Sequence, residues 1–361
     1  MGSEAQFKKL AGAAVLGLAM GFTVAMPARA EFRVVGYLPA WTNITNNIQY
    51  TKLTHILYSF AKPGNNGSLT GFDGTKLSQL VAKAHANKVK VFLALGGGGN
   101  HDDGFNVCTA SETCREAMAK ACMDAVHQYS LDGIDFDWEY PDGAQVAGYN
   151  AIVKLLAGQL HAENKEISAA VTYNDWPKSF PTKVLYDGVA PGFDFLNIMI
   201  YDNPPPHATV QHCQTSLDIW IKNKGLPKEK FILGAPFYGP GGRYNDIVAG
   251  NPAAAWVDQN GAEGYNSIPT MRKKTDMALK QAGGIMFWEI SQDATGELSL
   301  LSAVHDVIAK STDISVLNLD RATRKAAAGG YWNGRNGFGF KLPGTAGMPI
   351  LAVDAGGRLL R

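Results

Sequence analysis

The run Asp132-Gly133-Ile134-Asp135-Phe136-Asp137-Trp138-Glu139-Tyr140-Pro141 spaces four carboxyls as DxxDxDxE. With a period of two, Asp135, Asp137 and Glu139 share one face of an extended chain, and Ile134, Phe136 and Trp138 share the other. Successive acids on that face stand ~6.6 Å apart at Cα. Like charges this close cannot all ionise, so at least one pKa must rise. A protonated carboxyl beside an ionised one is the arrangement that glycoside cleavage uses. A lone DxD would read more simply as a metal site or a solvated acidic turn. Here the acids alternate with bulky apolar residues, which argues for a strand whose back must be covered.

The elements that position such a row follow from the rest of the chain. A strand with acids on one face and a buried apolar face on the other suits a parallel barrel, with helices outside and a site at the C-terminal mouth. Apolar runs predict eight strands: Phe32–Tyr37, Leu53–Ala61, Lys88–Leu95, the acidic run, Ile167–Thr172, Phe193–Ile200, Lys230–Pro236 and Gly283–Trp288. Between them, Leu77, Leu80, Val81 and Ala84 recur at helical spacing, as do Tyr149, Ile152, Val153, Leu156 and Leu160. Further helices are expected over Ser111–Tyr129 and Pro269–Gln281, with a closing one carrying Leu298, Leu301, Val304 and Ile308. Eight such units make an α/β fold, a (β/α)8 TIM barrel spanning residues 31–310. A doubly wound open sheet would need a nucleotide fingerprint, and none is present. The run Gly96-Gly97-Gly98-Gly99-Asn100 matches neither GxGxxG nor a Walker pattern, so it reads as backbone passing close to a ligand.

The chain has 361 residues, 46% hydrophobic and 18% charged, with a formal net charge of +1. That balance gives no electrostatic case for nucleic acid. Lys8 and Lys9, the apolar run Leu10–Met26 and Ala28-Arg29-Ala30 read as a secretory signal peptide over residues 1–30, hence a secreted protein. No later segment is apolar enough to span a membrane. Four cysteines in an exported chain permit disulfides. Cys108 with Cys114 is the preferred pair, Cys114 and Cys122 being ~12 Å apart along a helix. Cys122 falls on the apolar helix face with Met118 and Val126 and reads as a buried thiol. No CxxC or His/Cys cluster suggests a metal, and nothing calls for a cofactor. Residues 311–361, rich in Gly and Ala with Tyr331, Trp332, Phe338 and Phe340, read as a short C-terminal appendage.

The acidic run resembles the signature of glycoside hydrolase family 18, the chitinases and their relatives. The similarity covers about Phe32 to Lys310. Tyr37 and Trp41 stand where that family has aromatics after strand one, and Tyr58-Ser59-Phe60-Ala61 resembles its second-strand end. Leu93-Ala94-Leu95-Gly96-Gly97 resembles the third, with Ala94 in place of a serine. Met199-Ile200-Tyr201-Asp202 matches the sixth. Leu233-Gly234-Ala235-Pro236-Phe237-Tyr238-Gly239 and Gly283–Trp288 resemble the seventh and eighth.

The resemblance implies retaining, substrate-assisted hydrolysis of internal β-1,4 bonds of chitin or N-acetylglucosamine oligosaccharides by a monomer. In that scheme Glu139 is the general acid, Asp137 orients the acetamido group, Asp135 shares a proton with Asp137, and Tyr201 donates to the acetamido oxygen. Trp288, Asp202, Met199, Tyr37, Phe60, Gly97 and Tyr140 would contact sugar, with Trp41, Trp176 and Phe237 as outer candidates. Asp132 is expected to be structural. Two departures stand out: the missing hydroxyl at Ala94, and too few residues between Gly239 and Gly283 for the small α+β insertion of many relatives, which predicts an open groove. An endo-β-N-acetylglucosaminidase acting on glycans or peptidoglycan uses the same row. A sugar-binding lectin usually lacks the acid found here as Glu139.

Overall fold

The computed structural model describes residues 31–42, 48–99, 103–174, 192–203, 206–258 and 264–311, and the backbone of four short strands beyond. The sequence-predicted signal peptide and the tail aromatics' side chains lie outside the described residues. Eight barrel strands run β1 Arg33–Pro39, β2 His55–Pro63, β3 Lys90–Gly96, β4 Gly133–Asp137, β5 Glu166–Thr172, β6 Phe195–Met199, β7 Phe231–Pro236 and β8 Gly284–Trp288. Each pairs in parallel with the next, and β1 pairs with both β2 and β8, so the barrel is closed. Seven strands agree with the sequence reading to within about two residues at each end, while the acidic strand stops at Asp137, so Glu139 stands just beyond it.

The helices follow from apolar spacing and caps. Helix α1 (Gly74–Ala86) buries Leu77, Leu80, Val81 and Ala84 against the barrel, and the Asp73 side chain caps it by accepting from the Lys76 amide. Helix α2 (Asp103–Ala110) occupies a stretch that the sequence reading treats as loop. It is short and sits directly before Ser111, which caps α3 (Glu112–Tyr129), so its weak periodicity is lost beside its neighbour. Helix α4 (Val146–Ala162) buries Tyr149, Ile152 and Val153, and Tyr149 packs on Phe136 of β4. Beyond β6 come α5 (Val210–Leu217), continued by a π-helical turn over Asp218–Asn223, then α6 (Tyr244–Gly250), α7 (Ile268–Gln281) and a last helix over residues 300–311. Cys108 and Cys114 form a disulfide joining α2 to α3, while Cys122 and Cys213 are buried thiols.

The strand period of two divides the core. Outward residues such as Ile134, Phe136 and Leu233 pack under the helices, and inward residues such as Val35, Leu57, Phe92, Ile232 and Met286 fill the barrel. Phe136 meets Phe105, Tyr149 and Phe193, and Trp138 stacks on Phe105 at 5.0 Å. Burying each of these two rings contributes roughly 1.5–3 kcal/mol, which fixes the register of β4 and turns its acids inward. Residues 331–332, 338–339, 352–353 and 359–360 pair antiparallel as a small four-stranded sheet.

Candidate active site

Because β4 alternates, Asp135 and Asp137 point up the barrel axis one above the other, and Glu139 follows at the mouth. Asp135 is fully buried and Asp137 nearly so. Asp135 Oδ2 accepts from the Tyr37 hydroxyl at 2.7 Å, and Oδ1 accepts from Ser168 Oγ at 2.5 Å and Asn197 Nδ2 at 3.2 Å. Burial pushes this carboxyl up to about 6, against the lowering effect of those three hydrogen bonds. Asp137 is pushed well above the ordinary carboxyl range, first by burial, then by the charges of Glu139 and Asp135. Its Oδ1 is buried with no hydrogen-bond partner. Tyr140 is hydrogen-bonded to Glu139, and burial with that charge raises its hydroxyl far above the ordinary value.

The third strand needs glycine where it meets this row. Gly96 has φ +99°, and a Cβ there would lie 2.3 Å from the Asp137 carbonyl. Gly97, at φ +89°, donates its amide to that carbonyl at 2.7 Å and lies under the Phe60 ring, where a Cβ would come within 2.4 Å. It packs beneath the wall rather than lining the cavity; Gly96 and Gly98 line it.

Above the row opens a cavity of about 680 Å³. One wall is aromatic: Phe60 and Trp288 stack at 5.6 Å with 16° between their planes, and Trp41, 67% exposed, extends this wall outward at 6.4 Å from Phe60. The other wall is Met199, Tyr201 and Asp202 from the end of β6. Tyr201 is buried, its hydroxyl 3.9 Å from the Met286 sulfur. Asp202 takes a left-handed conformation, φ +55°, and accepts from Tyr238 at 2.6 Å. Three non-proline cis peptides, Ser59–Phe60, Glu139–Tyr140 and Trp288–Glu289, all fall at this mouth.

The structure therefore gathers Asp137, Glu139, Tyr140, Met199, Tyr201, Asp202, Phe60 and Trp288 around one cavity. Two expected contacts are placed differently. Tyr37 is 1% exposed and sits below the cavity floor as a donor to Asp135, because its inward position on β1 falls one layer deeper. Phe237 faces outward and stacks on Phe287 at 4.6 Å; the alternation that turns Pro236 and Tyr238 inward turns Phe237 away. Trp176 lies outside the described residues. Asp132 stands at the opposite end of β4, accepting from His85 Nε2 and the Val91 amide.

Sequence reasoning missed Ser168, Asn197 and Tyr238. Ser168 and Asn197 are polar residues at inward positions of their strands, and that parity was readable. The hydroxyl absent at Ala94, which pairs in register with Asp135, has counterparts in Ser168 on the opposite neighbour strand and in Tyr37. Residues 237–283, as far as described, hold a two-residue hairpin, α6, a 3-10 turn and α7, with no inserted sheet domain beyond the hairpin. Among the described residues no group of His, Cys, Asp and Glu could hold a metal ion, and no helix is long and apolar enough to cross a membrane.

A closed (β/α)8 barrel with a buried carboxylate row under an aromatic cleft defines a class of carbohydrate-active fold. The model of the glycosyl hydrolases family 18 matches residues 33–293, and the chain belongs to that family. It is 30% identical over 240 residues to a probable endochitinase of Caenorhabditis elegans, covering 56% of this chain and 38% of that protein. It is 31% identical over 256 residues to a chitinase-like effector of Moniliophthora roreri, covering 61% of each. The chain thus spans less than two thirds of the length of both. Among solved structures, a family 18 chitinase from the chitin utilization locus of Flavobacterium johnsoniae superposes with a TM-score of 0.68 at 29% identity, over 77% of this chain and 94% of that one.

Proposed function

We propose that this protein is a secreted, monomeric endo-chitinase that cleaves internal β-1,4-N-acetylglucosamine linkages with retention through the substrate's own acetamido group. The observation that carries the reading is the Asp135–Asp137–Glu139 row, whose Asp137 and Glu139 line the cavity and are hydrogen-bonded to each other. Glu139, the outermost acid, protonates the glycosidic oxygen and then takes the proton from water. No protein nucleophile is required. The acetamido oxygen attacks the anomeric carbon, Asp137 accepts the acetamido N–H on its unprotonated oxygen, and the one negative charge of the Asp135–Asp137 pair stabilises the positive oxazolinium ion. Tyr201 donates to the acetamido oxygen. Asp135 and Asp137 hold one proton between them and titrate as a pair. Trp288 offers a flat apolar face for the sugar, and Asp202, fixed by Tyr238, binds its hydroxyls.

The cleft between the Trp41–Phe60–Trp288 wall and the β6 wall supports attack within a chain. The segment before β8 adds no inserted sheet domain to that cleft among its described residues. The relatives named as endochitinase and chitinase support the substrate class. The test is purified protein on an N-acetylglucosamine hexamer, a glycoprotein bearing N-glycans and peptidoglycan in parallel. Cleavage of internal hexamer bonds is expected. Release of N-glycans or muropeptides with an intact hexamer would replace this reading with a glycan- or peptidoglycan-directed glucosaminidase. Binding without cleavage of any of the three would replace it with a lectin.

A further inference from the structure

Asp135 lies too deep to touch a substrate in the cavity, yet three donors from three strands converge on it. Its neighbours in register are Ala94 on β3 and Ser168 on β5. Ala94 offers no side-chain donor, so the shortest bond to the carboxyl comes from the other side, Ser168 Oγ to Oδ1 at 2.5 Å. Ser168 is itself fully buried. Tyr37 and Asn197 have additional partners, since Asn197 Nδ2 also lies 3.4 Å from the Tyr37 hydroxyl and the Tyr37 ring packs 5.6 Å from Trp288.

We propose that Ser168 is a positioning residue that distributes the shared proton of the carboxylate pair: by donating to Asp135 it holds the negative charge on the deep carboxyl and leaves the proton on Asp137. The serine keeps its own proton throughout; only the proton between the two carboxyls changes place. The inference rests on the functional reading above, in which Asp137 meets the acetamido group.

The surroundings of the pair leave few other ways to set this balance. From β1 it faces Tyr37, from β6 Asn197, from just beyond β6 Tyr201 and from just beyond its own strand Glu139, while Tyr149 of α4 feels its charge from behind β4. Leu57, Ile232 and Met286 belong to the same inner cluster from β2, β7 and β8. None of these groups is a cation. Hydrogen bonds are therefore what favours the ionised form of Asp135, and a hydrogen bond to a charged group outweighs one between neutral groups. The direction of the Asp135 shift agrees, with burial raising it and Ser168 the largest of the opposing effects.

Removing this donor makes the first ionisation of the pair harder. The acidic limb of kcat/KM then moves to higher pH, by about one unit, from the usual strength of a charge-assisted hydrogen bond. The experiment compares wild type, Ser168→Ala and Ser168→Thr. Alanine removes only the hydroxyl oxygen; threonine keeps the hydroxyl. Two readouts are taken: the pH profile of hexamer hydrolysis, and a 13C titration of the aspartate carboxyls without substrate, assigned with Asp135→Asn. The expected result is an upward move of about one unit in both for Ser168→Ala, and recovery of the wild-type values in Ser168→Thr. An unmoved carboxyl titration in Ser168→Ala, or a rate lowered equally at every pH, would overturn the proposal. A wild type that hydrolyses no hexamer would sink the functional reading instead, while the carboxyl titration would still decide the role of Ser168.

Discussion

The two ends of the barrel interior each hold acidic side chains, partly buried at one end and fully at the other, and treat them in opposite ways. At the N-terminal end, Glu166 accepts from Arg33 at 3.0 Å, from Lys90 and, more loosely, from His55 at 3.4 Å. Burial pushes Glu166 up, but the hydrogen bonds and charges of His55 and Lys90 outweigh it and hold the carboxyl well below the ordinary range. His55 is itself lowered by burial, so at neutral pH the positive charge comes from Arg33 and Lys90. At the C-terminal end, Asp135 and Asp137 face tyrosines, an asparagine and a serine, with no cation among them, and both are raised. The same strand geometry thus yields a charge-balanced plug at one end and a proton reservoir at the other. The difference lies in the partners: the plug is matched to its acid as folded, whereas the upper row is left short of positive charge, which an oxazolinium ion would supply.

The sharpest way to break this comparison is to exchange an acid for its amide at each end. Glu139→Gln should lower kcat roughly 10³-fold, the scale of a lost general acid, with no change in thermal stability. Steady-state kinetics beside a melting curve checks both halves; a variant near wild-type turnover would remove Glu139 from its role. Glu166→Gln should do the reverse. It leaves Arg33 and Lys90 without their counter-charge and should cost roughly 2–3 kcal/mol of stability, less than a fully buried pair because Lys90 is half exposed. Its kcat should be unchanged below the melting temperature. A Glu166→Gln protein as stable as wild type would show that the plug contributes nothing.

The pH dependence of stability sharpens the same contrast. Glu166 is depressed from 4.5, so its contribution is present above that pH and lost as pH falls through its folded value. Asp135 is raised from 3.8 to about 6, so its protonated form favours the fold at low pH and that contribution is lost as pH rises through this window. The stability gap between wild type and Glu166→Gln should therefore shrink as pH drops below 4.5. Between wild type and Asp135→Asn it should move in the variant's favour from pH 4 to 6. Melting curves at four or five pH values would show whether the two gaps run in opposite directions; parallel gaps would contradict the assignment of charges. The smallest effect belongs to the wall. Trp288→Ala removes the sugar face and the Phe60 stack and should raise KM about tenfold with a smaller change in kcat.

Much of this was legible in the chain. The alternation of acids with Ile134, Phe136 and Trp138 announced both the row and the covered face behind it, because a period of two is a direct consequence of strand geometry. Eight apolar runs with helical spacing between them were enough for the barrel. What escaped was parity and depth. Phe237 and Tyr238 are adjacent aromatics, and only the register of β7 against β8 decides which one enters the barrel. Tyr37 looked like a sugar contact because its layer in the barrel cannot be counted from composition. Ser168 and Asn197 read as ordinary strand residues in the sequence, although each is a polar side chain at an inward position. Helix α2 was hidden by its shortness and by the strong cap at Ser111.

The central claim is that the upper row cleaves the sugar with help from the substrate's own acetamido group. The most direct test follows an N-acetylglucosamine hexamer and its fully deacetylated counterpart by proton NMR from the first minutes of reaction. The account predicts early products in the β-anomeric form from the acetylated hexamer, and no cleavage of the deacetylated one. Early α-anomer, or equal cleavage of both hexamers, would contradict it.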